Sequence, residues 1–298
     1  MIFRCFAFRF TFTGLESVFF PAGAAGNAFR GAFGHIFRRM VCQPDCPRAS
    51  SCPHRQECSY ARLFEPVCLD GPSGLADAPR PFLIRASALD GQAYGPGETF
   101  GIDIHLFDPQ APPLEPFVNT FRQLAIEGIG AERGRIQLEA VVPLDAARRP
   151  AACSEPVEIV LDAPPTADPR DLTLRFTSPT ELKSGGAILP DAPFSVVLAR
   201  ARDRIATLSA LYAGDPLPLD FRGMAERAAM VETVESRLEW RHFQRRSSRT
   251  RQQHALSGFV GEVQYRGDIG EFLPLLQAAY WTGIGRHTVW GKGAVEIG

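Results

Sequence analysis

One histidine and two arginines lie close together near the start of the chain, and their types suit chemistry on a phosphodiester. His35 precedes Arg38 and Arg39 by three and four residues, so a helix would bring the three side chains to one edge. Histidine titrates near neutral pH and can act as an acid or a base, while arginine binds phosphate bidentately and stays charged. Such a trio could cleave RNA without a metal. The alternative is an ordinary helix histidine beside surface arginines.

A second cationic segment lies between residues 237 and 251, where six arginines occur with a single acid, Glu239. The six are Arg237, Arg241, Arg245, Arg246, Arg249 and Arg251. The first three would share one face of a helix or of a strand, and the sequence leaves that choice open. Because so many arginines without counter-charges would repel one another, we expect this ridge to contact phosphates, as in the groove walls of an RNA stem-loop.

Four cysteines fall within one short segment, and three to five residues separate each from the next. They are Cys42, Cys46, Cys52 and Cys58, with His54 and Cys68 nearby. Four thiols suit a tetrahedral structural zinc, although the spacing is not the paired two-residue pattern of common zinc sites. The alternative is a reduced, cysteine-rich loop that holds no metal.

The end of the chain carries a glycine-rich loop, residues 283–293, between a predicted helix at 269–281 and a final strand. Its candidate RNA-contacting residues are Gly283, Gly285, Arg286, His287 and Lys292. Glycines let a backbone approach a ligand closely, and neighbouring cations suit a phosphate chain. A dinucleotide-binding fold is excluded, because there the glycines follow a strand and precede a helix.

The same order of helix, Gly-Ile-Gly, basic residues and strand occurs earlier, at residues 114–142. This repeat predicts two related domains in tandem. Strands at 2–13, 81–87 and 99–107 and a helix at 24–41 complete the first. The predicted fold is α+β, with two ferredoxin-like (RRM-like) domains at 1–150 and 165–298. The first carries a Cys-rich insertion, residues 42–80, and the second an Arg-rich insertion.

Composition limits the class of protein. The chain has 298 residues, 45% hydrophobic and 22% charged, with a net charge of −1, as in globular proteins that bury a sizeable core. No apolar run reaches the roughly 20 residues that a membrane helix needs. Two arginines interrupt the apolar N-terminus, which therefore lacks the core of a signal peptide. We expect a cytoplasmic protein, with no membrane association and with reduced cysteines.

Several segments together resemble the CRISPR-associated endoribonucleases that process precursor crRNA, in the RAMP superfamily. The matching segments are residues 258–263, 272–276 and 283–293 near the C-terminus, and residues 30–35, 60–66 and 172–179 before them. The resemblance covers nearly the whole chain. One departure is Lys292, where relatives commonly have an aliphatic residue.

The resemblance implies cleavage at the base of a CRISPR repeat hairpin by attack of a 2′-OH, leaving a 2′,3′-cyclic phosphate, with no cofactor for catalysis. It makes His35 the best match to the family's catalytic histidine, with Arg38 and Arg241 as cations for the phosphate and Arg30 and Arg39 as RNA contacts. The expected partners are the crRNA repeat stem-loop and other CRISPR effector subunits. The abundance of arginine favours a minor, type IV-like system.

Two other functions remain open at this point. The same fold could hold crRNA without cutting it, as a scaffold subunit of an effector complex. It could also be a zinc-stabilised adaptor between proteins, which would show little salt-dependent affinity for RNA.

Overall fold

A computed structural model describes residues 1–42, 46, 52–55, 57–66, 78–108, 114–164, 169–213, 216–246 and 253–298. The chain divides into two compact units. The N-terminal unit consists of Arg4–Val157 with Ala210–Gly214, and the C-terminal unit of Met1–Phe3, Glu158–Ser209 and Asp215–Gly298. No helix in the described ranges is both long and apolar enough to cross a membrane.

The N-terminal unit has two main helices and one main antiparallel sheet. Its elements are β1 (Ile2–Gly14), β2 (Val18–Phe19), α1 (Ala25–Val41), α2 (Ser59–Phe64), β3 (Phe82–Arg85), β4 (Ala93–Tyr94), β5 (Thr99–Leu106), α3 (Leu114–Glu127) and β6 (Ile136–Pro143). The strand order β3-β5-β1-β6 places the first strand between the third and fourth long strands, as in a ferredoxin-like fold. Strand β7 (Val157–Val160) falls at the boundary of the units.

Phenylalanines hold this unit together. They recur at spacings of three and four along α1 and α3 and at every second residue along β1, so both periodicities direct them to one core. Phe33 of α1 lies 4.6 Å from Phe117 and 5.0 Å from Phe121, between ring centroids. Phe10 of β1 lies 4.9 Å from Phe121. Burial of this apolar stripe leaves the opposite side of α1 to solvent.

The C-terminal unit repeats the plan. Its elements are β8 (Asp171–Thr180), β9 (Leu182–Ser184), β10 (Ala187–Leu189), α4 (Phe194–Leu208) continued by a π-helical turn (Ser209–Ala213), α5 (Phe221–Ala228), β11 (Glu232–Arg241), β12 (Gln244–Arg246), β13 (Gln253–Ala255), β14 (Gly258–Arg266), α6 (Leu273–Thr282) and β15 (Val295–Ile297). The main sheet has the order β11-β14-β8-β15, the same arrangement of first, second, third and fourth long strands as in the N-terminal unit. The chain is therefore an α+β protein with tandem ferredoxin-like folds.

One face of the C-terminal sheet is apolar and the other is charged. Leu174, Phe176, Val263 and Tyr265 are buried, and the Tyr265 hydroxyl donates to the carbonyl of Ala192 over 2.7 Å. Two rows of cross-strand partners, the charged rows, cross the other face. The first charged row is Arg237, Glu262, Arg175 and Glu296. The second is Glu232, Arg266 and Asp171. Opposite charges alternate in both, which stabilises neighbouring strands.

The earlier Gly-Ile-Gly segment follows α3 and forms a tight loop. The amide of Ile129 donates to the carbonyl of Gly134 over 3.0 Å, and the amide of Ala131 donates to the carbonyl of Phe19 over 3.0 Å. Gly130 has a φ of 84°, and a Cβ there would lie 2.7 Å from the Phe19 oxygen. The loop therefore needs glycine to let its own backbone approach β2.

Candidate functional site

His35 lies on the solvent side of α1. The stripe of Phe29, Phe33 and Phe37 faces the core, so the helix turns His35 and Arg39, one helical turn apart, to the exposed side. Helix α1 ends at Val41, and the next residue, Cys42, caps it with an amide that donates to the carbonyl of Arg38 over 2.9 Å. The fold therefore leaves the His35 imidazole exposed on the surface of the helix.

Two residues of α3 complete a polar cluster with His35 and Arg39. The Arg39 guanidinium donates to Glu127 Oε1, and Gln123 Nε2 donates to the same oxygen over 2.8 Å. The pKa of Glu127 is lowered, chiefly by the hydrogen bond from Gln123 and further by Arg39 and the nearby His35. We call His35, Arg39, Gln123 and Glu127 the α1–α3 cluster.

The sequence indicated His35 and Arg39 but missed Gln123 and Glu127. The signal available was weak. The two missed residues have the i, i+4 spacing of a helical pair, and Glu127 directly precedes the earlier Gly-Ile-Gly.

Arg38 and Arg30 have different surroundings from Arg39. Arg38 Nη2 donates to the carbonyl of Cys46 over 3.1 Å, and the Arg38 guanidinium lies 6.0 Å from the ring centre of Tyr60 in α2. The Arg30 guanidinium lies 5.5 Å from the ring centre of Phe64. Both side chains therefore help to pack α2 and the cysteine segment on α1. The structure gathers Arg39, and not Arg38, with His35.

The four predicted metal ligands lie around one cavity. Cys42, Cys46, Cys52 and Cys58 line a space of about 240 Å³ together with His54. All four are free thiols. Among the described residues, no group of three or more His, Cys, Asp or Glu side chains is arranged as a metal site as it stands. Cys68 lies outside the described residues.

The arginine ridge begins as a strand, which answers the question that the sequence left open. Arg237 and Arg241 belong to β11, and both have an acidic partner: Arg237 Nε lies 2.7 Å from Glu235 Oε1, and Arg241 Nη2 lies 2.7 Å from Glu239 Oε2. The expectation of a ridge without counter-charges is therefore wrong for these two arginines. It overlooked that residues two apart on a strand lie side by side on one face.

The remaining arginines of the ridge belong to the next part of the chain. Arg245 and Arg246 lie in β12, which pairs with β13 as a short antiparallel ribbon. Arg249 and Arg251 lie outside the described residues.

The glycines of the 283–293 loop serve the loop's own folding. The amide of Ile284 donates to the carbonyl of Gly293 over 2.9 Å. Gly283 and Gly285 have φ values of 72° and 77°, and a Cβ on Gly285 would lie 2.4 Å from the carbonyl oxygen of Glu181. The close approach that the sequence predicted is therefore made to the protein's own backbone.

The three cationic candidates of this loop differ in exposure. Arg286 donates to the buried carboxylate of Glu181, and its amide donates to the Glu181 carbonyl over 3.0 Å. His287 stacks on Trp290 with ring centroids 4.9 Å apart. Lys292 is 4% exposed, and its Nζ lies 5.0 Å from the ring centre of Phe243. Arg286 is half exposed and presents a cation to solvent, whereas Lys292 packs inside.

Family comparisons agree with the two-unit architecture. Residues 3–163 match the model of the AF_1859_N family, described as an N-terminal domain. Residues 174–295 match the model of the CRISPR-associated endoribonuclease Cas6. The protein is thus an endoribonuclease of the class that processes crRNA. The chain belongs to the AF_1859_N family, whose model covers just over half of it, and its second half carries a Cas6 domain.

Solved structures share the fold at low sequence identity. A product complex of Cas6 (TTHB231) is 18% identical with a TM-score of 0.57, and the match covers 99% of both chains. The structure of Thermus thermophilus Cas6 (TTHB231) is 17% identical with the same TM-score, over 99% of this chain and 98% of that one. A product complex of Cas6 (TTHA0078) is 19% identical with a TM-score of 0.55, over the whole of both chains. No curated protein sequence matches.

Proposed function

We propose that this enzyme cleaves precursor crRNA by metal-independent transesterification. The 2′-oxygen of the nucleotide before the cut attacks the phosphorus, and the bond from phosphorus to the 5′-oxygen breaks. One proton leaves the 2′-OH and one reaches the departing 5′-oxygen, so the products are a 2′,3′-cyclic phosphate and a 5′-OH. The reaction needs a proton-transfer group and a cation near the phosphate, because negative charge grows there in the transition state.

The α1–α3 cluster is the observation that carries this proposal. It offers an exposed imidazole on a rigid helix, with a guanidinium one turn away and a carboxylate that orients that guanidinium. In this proposal His35 transfers a proton as base or acid, and Arg39 binds the scissile phosphate. Glu127 touches no RNA and acts through Arg39, so it is a positioning residue.

Two other arginines are candidates for binding the phosphate, and their contacts in the structure differ. Arg38 is engaged by the Cys46 carbonyl and the Tyr60 ring, which favours Arg39 over Arg38 as the cation beside His35. Arg241 is exposed on β11 and bound to Glu239. It stays a candidate for phosphate binding, since an exposed ion pair is worth only about 0–1 kcal/mol and can exchange its partner for a phosphate.

We propose a CRISPR repeat stem-loop as the substrate, bound by the arginines of β11 and of the following ribbon. Structures of similar fold include product complexes of two Cas6 proteins and a substrate-mimic complex of one of them. Another is a partial Cas6-RT-Cas1–Cas2 complex, 14% identical, with a TM-score of 0.59 and coverage of 99% of this chain and 46% of that one. These complexes support two further parts of the proposal. The enzyme keeps the mature crRNA bound after cleavage, and it associates with other CRISPR subunits.

The test uses the full chain and its own labelled repeat RNA in EDTA, beside an RNA with 2′-deoxyribose at the cleavage position. We expect the native RNA to be cut and the deoxy RNA to be bound but left intact. The 5′ fragment should resist a 3′-end ligation until acid opens its cyclic phosphate and a phosphatase removes the resulting 2′- or 3′-monophosphate. His35→Ala should lower the single-turnover rate by about 10²–10⁴-fold and leave hairpin affinity unchanged.

Two outcomes would contradict the proposal. Cleavage of the deoxy RNA would exclude attack by the 2′-OH. Tight binding without a product under any condition would instead identify a crRNA-holding scaffold, and His35 would then be an ordinary surface histidine.

A further inference from the structure

We propose that Cys42, Cys46, Cys52 and Cys58 bind one zinc ion as a structural tetrathiolate site. Their positions in the fold argue for it. The four residues come from separate points of the segment between α1 and α2, yet their side chains border the same cavity of about 240 Å³. None of them is used in a disulfide. A cavity lined by four free thiols has one common use in proteins, the coordination of a soft metal ion.

The thiols also lie close to one another. The side chain of Cys46 is hydrogen-bonded with those of Cys42 and Cys52, and the side chain of Cys42 is hydrogen-bonded with that of Cys58. A dication placed among them would hold the four groups as thiolates, because a coordinating thiol is deprotonated outright.

Zinc fits this ligand set best. Zn²⁺ prefers four ligands in a tetrahedron, with Zn–S bonds of about 2.3 Å, and structural sites of four cysteines are common. As described above, the side chains do not yet form a coordination shell. The ion must therefore draw the four sulfurs from their mutual contacts into its tetrahedron.

A zinc ion at this site would link the C-terminal end of α1 to the N-terminal end of α2. Cys42 is the residue directly after α1, and Cys58 is the residue directly before α2. Cys46 accepts the hydrogen bond from Arg38 of α1. A metal ion bound here would fix the C-terminal turn of α1, the helix that also carries His35. The inference concerns metal binding alone and does not depend on the proposed cleavage chemistry.

Metal content of the purified full chain tests the inference directly. We expect a single zinc per chain by elemental analysis and its release when a mercurial reagent modifies the four thiols of the cluster. Cobalt(II) loaded in its place should give the visible spectrum of a tetrahedral thiolate complex. Adding zinc to the stripped protein should raise its Tm, since a ligand that binds only the folded state stabilises it.

The matched variants are the double substitution Cys46→Ser with Cys52→Ser and the control Cys153→Ser, an exposed cysteine outside the segment. The double variant should lose zinc and the control should keep it. If the double variant does not fold, the cobalt spectrum of the wild type still decides the matter.

A folded wild type whose four thiols react equally fast with and without zinc would overturn the inference. An iron–sulfur absorption spectrum would overturn the choice of zinc. Neither result bears on RNA cleavage, so failure of this inference and failure of the proposed function are distinguishable.

Discussion

Ile129 and Ile284 occupy equivalent positions in the two units. Each is the buried centre of a Gly-Ile-Gly loop after a helix, and each amide donates to a glycine carbonyl further along its loop, over 3.0 and 2.9 Å. The residues two positions on, Ala131 and Arg286, both donate to the backbone of a neighbouring segment over 3.0 Å. The two loops thus have the same pair of backbone hydrogen bonds, as expected of a duplicated domain. We call each such loop, with its two hydrogen bonds, a Gly-Ile-Gly clasp.

Replacing a glycine of the second Gly-Ile-Gly loop should destabilise the protein more than replacing a glycine that has free space around its Cα. Gly285→Ala places a Cβ 2.4 Å from the Glu181 carbonyl oxygen at a φ of 77°. Gly185 has a φ of 56° with nothing within 4 Å, so Gly185→Ala has the conformational cost alone. We expect losses in unfolding free energy of about 2–4 and about 1–2 kcal/mol, respectively. Chemical denaturation measures both losses. Equal losses would contradict the claim that close backbone contact requires glycine at position 285.

A second pair of glycines tests how α2 packs on α1. A Cβ on Gly34 would lie 2.6 Å from Cε1 of Phe64, whereas one on Gly31 would meet nothing within 4 Å. The Phe64 ring cannot move aside freely, because it stacks on Tyr60 with centroids 5.4 Å apart. We expect Gly34→Ala to cost about 1–3 kcal/mol. Gly31→Ala should instead stabilise the helix by about 0.5–1 kcal/mol, and thermal unfolding distinguishes the two signs.

Arg38 and Arg39 should separate stability from catalysis. Arg39→Ala should lower the cleavage rate by about 10²-fold and change the Tm little, because it removes the cation beside His35 and an exposed ion pair. Arg38→Ala should lower the Tm, because its hydrogen bond to the Cys46 carbonyl and its packing on Tyr60 disappear. Single-turnover cleavage and calorimetry on both variants check this. The reverse pattern would restore Arg38 as the catalytic cation.

Glu127 should make a pH-dependent contribution to stability. Its pKa is lowered from the ordinary value of 4.5, so the folded protein favours the ionised form. The unfolding free energy of the wild type should therefore exceed that of Glu127→Gln by a constant amount at neutral pH. The difference should be about 0.5–1 kcal/mol, since the pair is partly exposed, and it should shrink as the pH falls below 4.5 through the folded-state pKa. Denaturation curves from pH 3 to pH 7 test this direction (roughly the carboxyl titration range). A difference that grows in acid would contradict it.

Glu239 should weaken RNA binding by occupying Arg241. If Arg241 contacts a phosphate, Arg241→Gln should reduce the slope of log affinity against log salt by about 0.7–0.9. Glu239→Gln should tighten binding, because the guanidinium then needs no exchange of partner. Hairpin titrations at several salt concentrations measure both slopes. An unchanged slope in Arg241→Gln would assign this arginine to the ion pair alone.

The sequence predicted the elements that follow from local periodicity. The helix expected at 24–41 is Ala25–Val41, because its phenylalanines recur at helical spacing. Alternation with Phe6, Phe8 and Phe10 would place Ile2 on the buried face of β1, but Ile2 is 37% exposed and Phe3 is buried. The alternation reverses near the start of the strand, where Arg4 shares the exposed side with Ile2, because a charged side chain is rarely fully buried.

The sequence did not predict the partners that depend on packing between distant elements. Arg39 meets Glu127, 88 residues away, and Arg286 meets Glu181, 105 residues away. No short sequence pattern indicates either ion pair, because each depends on how two distant elements are rotated against each other when they pack. Local spacing likewise could not tell that Arg38 faces the cysteine segment and Arg39 faces α3. The site assignments, the domain boundaries and the type IV-like subtype stay predictions.

The charged rows of the C-terminal sheet have a consequence for how RNA first meets the protein. Arg175 lies 2.7 Å from Glu262, and Arg266 lies 2.7 Å from Asp171, so this face neutralises itself over short distances. The field of such alternating charges decays within a few ångströms and is further screened by salt. This face therefore exerts little long-range pull on a polyanion. We therefore expect electrostatic steering, and with it the salt dependence of the association rate, to come from cations outside these two rows.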